Sequence, residues 1–214
     1  MEIARERKAD IVCFCEIENG WFKRIDNTFT DYPYKALFPH FGGLGFVSKF
    51  PIVSWTVKEG TFWHRPRLYA EVRLKDGRIL NLLVAHPTIP VYKDVFDCRN
   101  QDFSFFAGEF AARANPKILV GDLNCSPWSY YFQKLLEETG LNDSEVGFGP
   151  QPTWSPGGKL IPLLPIDHFL VSKDFVVADH HIERFAGADH RLVFVDLWLK
   201  PKSNDRQAMP SGMR

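Results

Sequence analysis

Short apolar runs that stop at a polar residue recur along this chain. Ile118, Leu119 and Val120 end at Gly121, and Asp122 and Asn124 follow at once. The run over 11–15 ends in Glu16, and the run over 79–85 ends in His86. Two later runs reverse the order: Asp167 stands immediately before 168–171, and Asp189 with His190 stands before 192–195. Runs of this length read as strands, and strand ends are where a rigid scaffold meets solvent. If the two late strands run antiparallel to the three early ones, Glu16, His86, Asp122, Asn124, Asp167, Asp189 and His190 all collect at one sheet edge. Four carboxylates in one pocket repel one another and resist desolvation, and a cation among them relieves both costs.

The same patterning predicts the remaining elements. Residues 1–9 read as the end of a helix, and 10–16 as a central strand because both of its faces are apolar. Residues 18–30 read as a helix with Trp21, Phe22, Ile25 and Phe29 at near-helical spacing, Trp21 being assigned to the core. Residues 31–41, with Pro33 and Pro39, read as loop. Gly42-Gly43-Leu44-Gly45 lacks a Gly-Lys-Ser/Thr ending and reads as turn chemistry before a strand rather than a phosphate cradle. Strands follow over 51–57 and 67–74, and Asp76-Gly77 is a hairpin signal joining the latter to 78–85. Residues 89–97 read as irregular. Residues 99–113 form a helix with a core stripe of Phe103, Phe106 and Phe110. A second helix spans 129–139 and stops at Gly140. A long Gly- and Pro-rich loop fills 141–165, with Trp154 and an apolar patch over 160–164. Strands over 167–172, 175–184 and 192–199 close the fold, His180 and His181 are assigned to the surface, and 201–214 reads as a disordered tail. No repeat or linker divides 1–200, which is therefore expected to be one domain.

Composition narrows the partners. The 214 residues carry 26 Lys+Arg and 26 Asp+Glu, so no global positive field draws in nucleic acid and any such binding must come from a local patch. Nineteen Phe and six Trp predict an aromatic core and rim. Cys13, Cys15, Cys98 and Cys125 are too few for a disulfide scaffold and form no CxxC, which favours a reducing compartment. No apolar run is long enough to span a bilayer and the first residues are not a signal peptide, so a soluble, cytoplasmic protein is expected, membrane-anchored if an upstream segment has been removed.

Six segments, in order, resemble the endonuclease/exonuclease/phosphatase family, the fold of pancreatic deoxyribonuclease, in its bacterial branch. They are Ala9-Asp10-Ile11-Val12 with Cys15-Glu16, Gly45-Phe46-Val47-Ser48-Lys49-Phe50-Pro51-Ile52, Ala85-His86-Pro87, Gly121-Asp122-Leu123-Asn124 with Ser126-Pro127-Trp128-Ser129, Pro165-Ile166-Asp167-His168 with Val171-Ser172, and Ala188-Asp189-His190-Arg191. The resemblance implies an α/β (α+β) four-layer sandwich of two mostly antiparallel sheets flanked by helices. The family normally opens with a strand carrying an Asn, and this chain begins at the helix that follows it, so a sandwich lacking that strand is expected.

The implied activity is hydrolysis of a phosphate ester with Mg²⁺ or Mn²⁺, since oxygen ligands select a hard cation. In that setting Glu16 is the metal ligand, with Asp189 as a second or water-mediated one. Asp122 orients or deprotonates the attacking water, Asn124 holds a phosphate oxygen, and His190 donates to the phosphate with Asp167 fixing its tautomer. His86 is a second, cationic donor, and Trp128 and Trp154 flank the pocket as substrate contacts. DNA and a small or lipid phosphodiester remain open as substrates, and no protein partner is implied. The competing reading is a truncated or impaired relative that acts as a binding module. A serine hydrolase using His190 and Asp167 is disfavoured, because no Gly-x-Ser-x-Gly elbow is present.

Overall fold

The computed structural model describes residues 2–156, 164–185 and 187–201. Its elements run α1 (Glu2–Glu6), β1 (Ile11–Cys15), α2 (Asn19–Thr28), β2 (Tyr34–Phe38), β3 (Leu44–Ser48), β4 (Ile52–Glu59), β5 (Pro66–Arg73), β6 (Ile79–Ala85), α3 (Lys93–Ala111), β7 (Lys117–Asp122), α4 (Tyr130–Thr139), β8 (Asn142–Asp143), β9 (Asp167–Val171), β10 (Phe175–Arg184) and β11 (Arg191–Leu199). The expected tail at 201–214 lies, apart from Pro201, outside the described residues.

Six strands form the large sheet in the order β4-β5-β6-β7-β9-β8. All neighbours are antiparallel except β6 and β7, which are parallel. A parallel pair needs a long crossover, and α3 supplies it. The β5–β6 hairpin turns at Asp76-Gly77, where Gly77 has φ +84° and the Asp76 carboxylate accepts from the Arg78 N–H.

Alternation along these strands gives the large sheet two apolar faces. Tyr69, Leu83, Ala85, Leu119 and Leu170 face α3 and α4, where Phe103, Phe106, Phe110, Phe132 and Leu135 pack on them. Leu68, Val72, Leu82, Val84, Ile118 and Val120 face the other way, onto the small sheet β1-β3-β2 and the β10–β11 hairpin. The outer face of the small sheet is covered by Ala4, Ile25, Phe29 and Tyr32 from the first helical segments. The sequence is therefore helices, sheet, sheet, helices, which is the expected four-layer sandwich. The second layer comes in two pieces: among the described residues no ladder joins β1 to β10 or β11.

Several expectations are corrected. Residues 31–41 are not loop, because Pro33 and Pro39 flank β2 rather than interrupt it. β1 is not central: among the described residues it pairs with β3 alone, and each of its residues is half-buried. Trp21 is 44% exposed under the Arg24 guanidinium, while Ile25 and Phe29 turn inward. The helix expected from 99 begins at Lys93, inside the stretch read as irregular. His180 is buried rather than on the surface, because its strand packs its inward face on the loop after β8. The stretch read as a loop over 141–165 carries β8 and backbone bridges from Trp154 to Leu164 and His190. Most of the apolar patch at 160–164 lies outside the described residues. Among the described residues no helix is long and apolar enough to cross a membrane.

Candidate active site

β6 and β7 run in the same direction, so His86 and Asp122 leave the large sheet at the same edge. β9 runs against them, which sets Asp167 at the start of its strand directly opposite Asp122. The turn after β7 is shaped by local chemistry. Gly121 has φ +145°, and a Cβ there would lie 1.9 Å from the Ala85 carbonyl oxygen, so only glycine lets β6 and β7 close up. Asn124 follows at φ +48°, a conformation asparagine tolerates better than most residues. Its N–H donates to Asp122 Oδ1 at 2.8 Å, and its side-chain amide donates to the Pro87 carbonyl at 3.0 Å. These two bonds fix the carboxylate and tie the β7 turn to the β6 end.

Around Asp122 the other groups close in. Oδ2 lies 3.5 Å from His86 Nε2 and 3.7 Å from His190 Nε2. His190 Nδ1 is 2.8 Å from Asp167 Oδ2. His86 Nδ1 is 3.9 Å from Glu16 Oε1, so Glu16 joins the cluster from β1 through His86. Glu16 is largely exposed and sits at φ +61°, an unusual backbone conformation for glutamate and one that collects at functional sites. Asp189 is exposed, and its carbonyl accepts from the Ser155 N–H. Trp128 is largely exposed in the turn leading to α4, and Trp154 is half-buried beside the backbone of His190.

Electrostatics separate the groups by role. Burial pushes the Asp122 carboxyl up to about 7, and the Asp167 charge adds to this against the pull of His190. Burial lowers His190, but its bond to Asp167 and the charges of Asp167, Asp122 and Asp189 outweigh that and raise it to about 9. His86 is pushed down to about 3 by burial and by the Arg65 guanidinium. It is therefore a neutral imidazole rather than the cation expected from sequence.

Three supporting residues carried no clear signal in the sequence. Arg65 Nη1 is 3.1 and 3.2 Å from the two ring nitrogens of His86, and its guanidinium lies over Phe41, which packs on Trp63. Arg99, buried on α3, donates to the Asn124 carbonyl at 2.9 Å. Thr153 Oγ1 accepts from the Ile166 and Asp167 N–H groups, while its carbonyl accepts from the Arg191 N–H, so one buried residue aligns the Asp167 and His190 backbones. From the sequence Arg65, with Trp63 and Arg67, is placed near the rim at no better than even odds, and Thr153 offers nothing.

The donor chemistry fits a hard divalent cation. One carboxylate oxygen each of Asp122 and Asp167 lies within 4.8 Å of the other and of a His190 ring nitrogen, and the Glu16 carboxylate is exposed at the same rim. A buried and a half-buried carboxylate this close, on facing strands, are stabilised by a positive charge between them.

The model of the endonuclease/exonuclease/phosphatase family matches residues 1–190. No curated protein matches the chain. An endonuclease/exonuclease/phosphatase structure from Beutenbergia cavernae superposes with TM-score 0.77 at 19% identity, over 93% of this chain and 65% of that one, so the chain spans about two thirds of its length. The D. rerio TDP2 structure complexed with single strand DNA product gives TM-score 0.75 at 14% identity, over 92% of this chain and 88% of that one. The Bacteroides thetaiotaomicron mannosyl-6-phosphatase Bt3783 gives TM-score 0.71 at 16% identity, over 92% and 88%. At these identities the structures speak for the shared fold. With the family model matching most of its length, the chain belongs to the endonuclease/exonuclease/phosphatase family.

Proposed function

We propose that this chain is a divalent-metal-dependent phosphoesterase that hydrolyses phosphate esters by attack of a water positioned at Asp122. The observation that carries this reading is the buried Asp122 carboxylate held between two imidazoles, at 3.5 and 3.7 Å, opposite a second carboxylate. A carboxylate raised to about 7 is poised to take a proton near neutral pH. His190, kept protonated by Asp167, donates to a non-bridging phosphate oxygen. His86 is a neutral donor toward the leaving oxygen. Asn124 has a second amide hydrogen free of its bond to Pro87 and can hold another phosphate oxygen without adding charge. Glu16, with Asp189 nearby, would hold Mg²⁺ or Mn²⁺, which supplies several kcal/mol of charge stabilisation to the phosphate in the transition state.

The relatives named above include a protein bound to a single strand DNA product and a sugar phosphatase. For this chain the zero net charge argues against a long polyanion track. The Phe41–Trp63 pair, joined to His86 through Arg65, suits a planar or apolar group beside the phosphate. Trp154, beside the His190 backbone, and Trp128, in the turn before α4, are further candidates for substrate contact.

A second reading, a phosphate-binding module with little turnover, draws on one observation. Glu16 follows β1, a strand that among the described residues is paired on one side, and a loosely held ligand weakens the metal site. One assay separates the two. With millimolar Mg²⁺, the intact chain should hydrolyse bis(p-nitrophenyl) phosphate or p-nitrophenyl phosphate, lose that activity in chelator, and lose it in Asp122→Asn. Phosphate binding without turnover of either ester would favour the module and overturn the enzyme.

A further inference from the structure

Residues 167 and 168 are consecutive on β9, so their side chains leave opposite faces of the sheet. Asp167 points to the site described above, and His168 points into the helical layer, where its ring packs on Phe132 at 4.5 Å. His168 is 2% exposed, and its Nε2 is 2.8 Å from the Cys125 carbonyl oxygen. A carbonyl only accepts, so Nε2 carries the proton. In a neutral imidazole that leaves Nδ1 as a bare lone pair. Nδ1 is buried and has no hydrogen-bond partner, and Asp143 Oδ2 lies 3.7 Å away.

What surrounds this nitrogen is more acceptor. Asp143 is itself buried, and one ligand atom each of Asp143, Glu145 and His168 lies within 4.8 Å of the others. The local backbone holds the set in place: Asp143 Oδ1 accepts from the Glu145 N–H at 3.0 Å, and Glu145 Oε1 accepts from the Gln151 N–H at 2.8 Å. Each carboxylate thus spends one oxygen on a backbone N–H and keeps the other. His180, 4% exposed on β10, flanks the cluster with its Nδ1 also unpartnered. Two carboxylate oxygens and an imidazole lone pair, with Asp143 and His168 buried and Glu145 half-buried, are a donor set for a cation.

We propose that Asp143, Glu145 and His168 form a second metal site, separate from the Asp122 cluster, that takes a divalent ion of the zinc class and braces the fold. A nitrogen with two carboxylates suits Zn²⁺ better than Mg²⁺, which prefers oxygen ligands and keeps its waters. The bond from His168 Nε2–H to the Cys125 carbonyl is the kind of outer contact that orients a metal-binding imidazole. It also ties the ion to the turn carrying Asp122 and Asn124, so loading this site should stiffen the frame of the other without touching its reacting groups.

The test uses the full chain carrying Glu16→Gln together with Asp122→Asn, which removes the proposed metal ligand and the central carboxylate of the first cluster. After treatment with chelator, Zn²⁺ is titrated calorimetrically, metal content is measured after desalting, and the His168 ring nitrogens are followed by ¹⁵N NMR. Uptake of one Zn²⁺ per chain is expected, with a higher melting temperature and a shifted His168 Nδ1 signal. Adding Glu145→Gln should weaken uptake about tenfold or more. If the Glu145→Gln chain does not fold, the His168 signal decides alone. No stoichiometric uptake, uptake indifferent to Glu145→Gln, or an unmoved Nδ1 at saturating Zn²⁺ would overturn the site and leave a His168–Asp143 ion pair. Esterase failure at Asp122 leaves this result untouched.

Discussion

His190 Nδ1 and Asp167 Oδ2 are 2.8 Å apart although their residues are separated by 23 positions in the chain. This contact makes the imidazolium the favoured form. Burial alone would lower His190, but Asp167, with help from Asp122 and Asp189, raises it to about 9. A histidine raised above its unfolded value of about 6.5 stabilises the fold fully below that pH, and the stabilisation is lost as pH rises through about 9. In chelator, the His190 ring protons should therefore titrate near 9 by NMR. Asp167→Asn removes the main partner and should bring that titration down toward or below the ordinary histidine range. It should also flatten the decline in stability between pH 6.5 and 9. A His190 that still titrates near 9 in Asp167→Asn contradicts the assignment.

Asp122 should separate activity from stability. Its buried carboxylate faces Asp167, and desolvation and repulsion both disfavour its charge. Asp122→Asn keeps the shape and removes the charge. Turnover should fall about 10²- to 10⁴-fold, while urea unfolding at neutral pH shows equal or greater stability. A variant that loses stability in step with activity would mean that the carboxylate serves the fold and not the reaction.

How much of this was legible in the sequence depends on where the signal lay. The rim was readable because each apolar run ended, or began, at a polar residue, and strand polarity alone brings Asp122, Asp167, His86 and His190 to one edge. The hairpin at Asp76-Gly77 and the Phe103/Phe106/Phe110 stripe were readable for the same reason: local chemistry and local period agree. β2 was hidden by the prolines at its two ends. Trp21 misled because a bulky aromatic at helical spacing looks like core, and only the partners of Ile25 and Phe29 show which way α2 turns. Arg65, Arg99 and Thr153 act through backbone and ring contacts with residues far away in sequence, and no periodicity marks such residues. His180 looked like surface because its burial comes from a loop that packs on β10 across more than twenty residues.

Gly121 should tolerate no side chain. A Cβ would meet the Ala85 carbonyl at 1.9 Å, backbone against backbone, at a φ of +145°. Gly121→Ala should cost on the order of 3 kcal/mol in urea unfolding, combining strain with overpacking. Loss under about 0.5 kcal/mol, the range of an ordinary surface change, would show that β6 and β7 are not held this closely.

Asp102 anchors the loop that carries Trp63 and Arg65. It is buried on α3, accepts from the Thr61 N–H at 3.0 Å and lies 3.5 Å from Arg67 Nη1. Burial raises its carboxyl despite those partners. Asp102→Ala leaves the Arg67 guanidinium buried over the Phe105 ring with Glu109, at 3.6 Å, as its carboxylate partner among the described residues. Breaking a buried pair in this way costs roughly 3–5 kcal/mol, and the Glu109 contact places the expectation at the lower end. A thermal melt of the variant within a degree of the parent would remove Asp102 from this role.

The proposed function rests on a divalent ion held by Glu16 with Asp189, beside the imidazoles of His86 and His190. Adding Mn²⁺ to the intact chain and following histidine ring protons by NMR tests this directly, because a paramagnetic ion broadens only nearby signals. His86 and His190 should broaden at low Mn²⁺, recover on excess Mg²⁺, and respond only at much higher Mn²⁺ in Glu16→Gln. His86 and His190 signals that stay sharp at saturating Mn²⁺, or that broaden identically with and without Glu16, would contradict a metal-centred site at this rim.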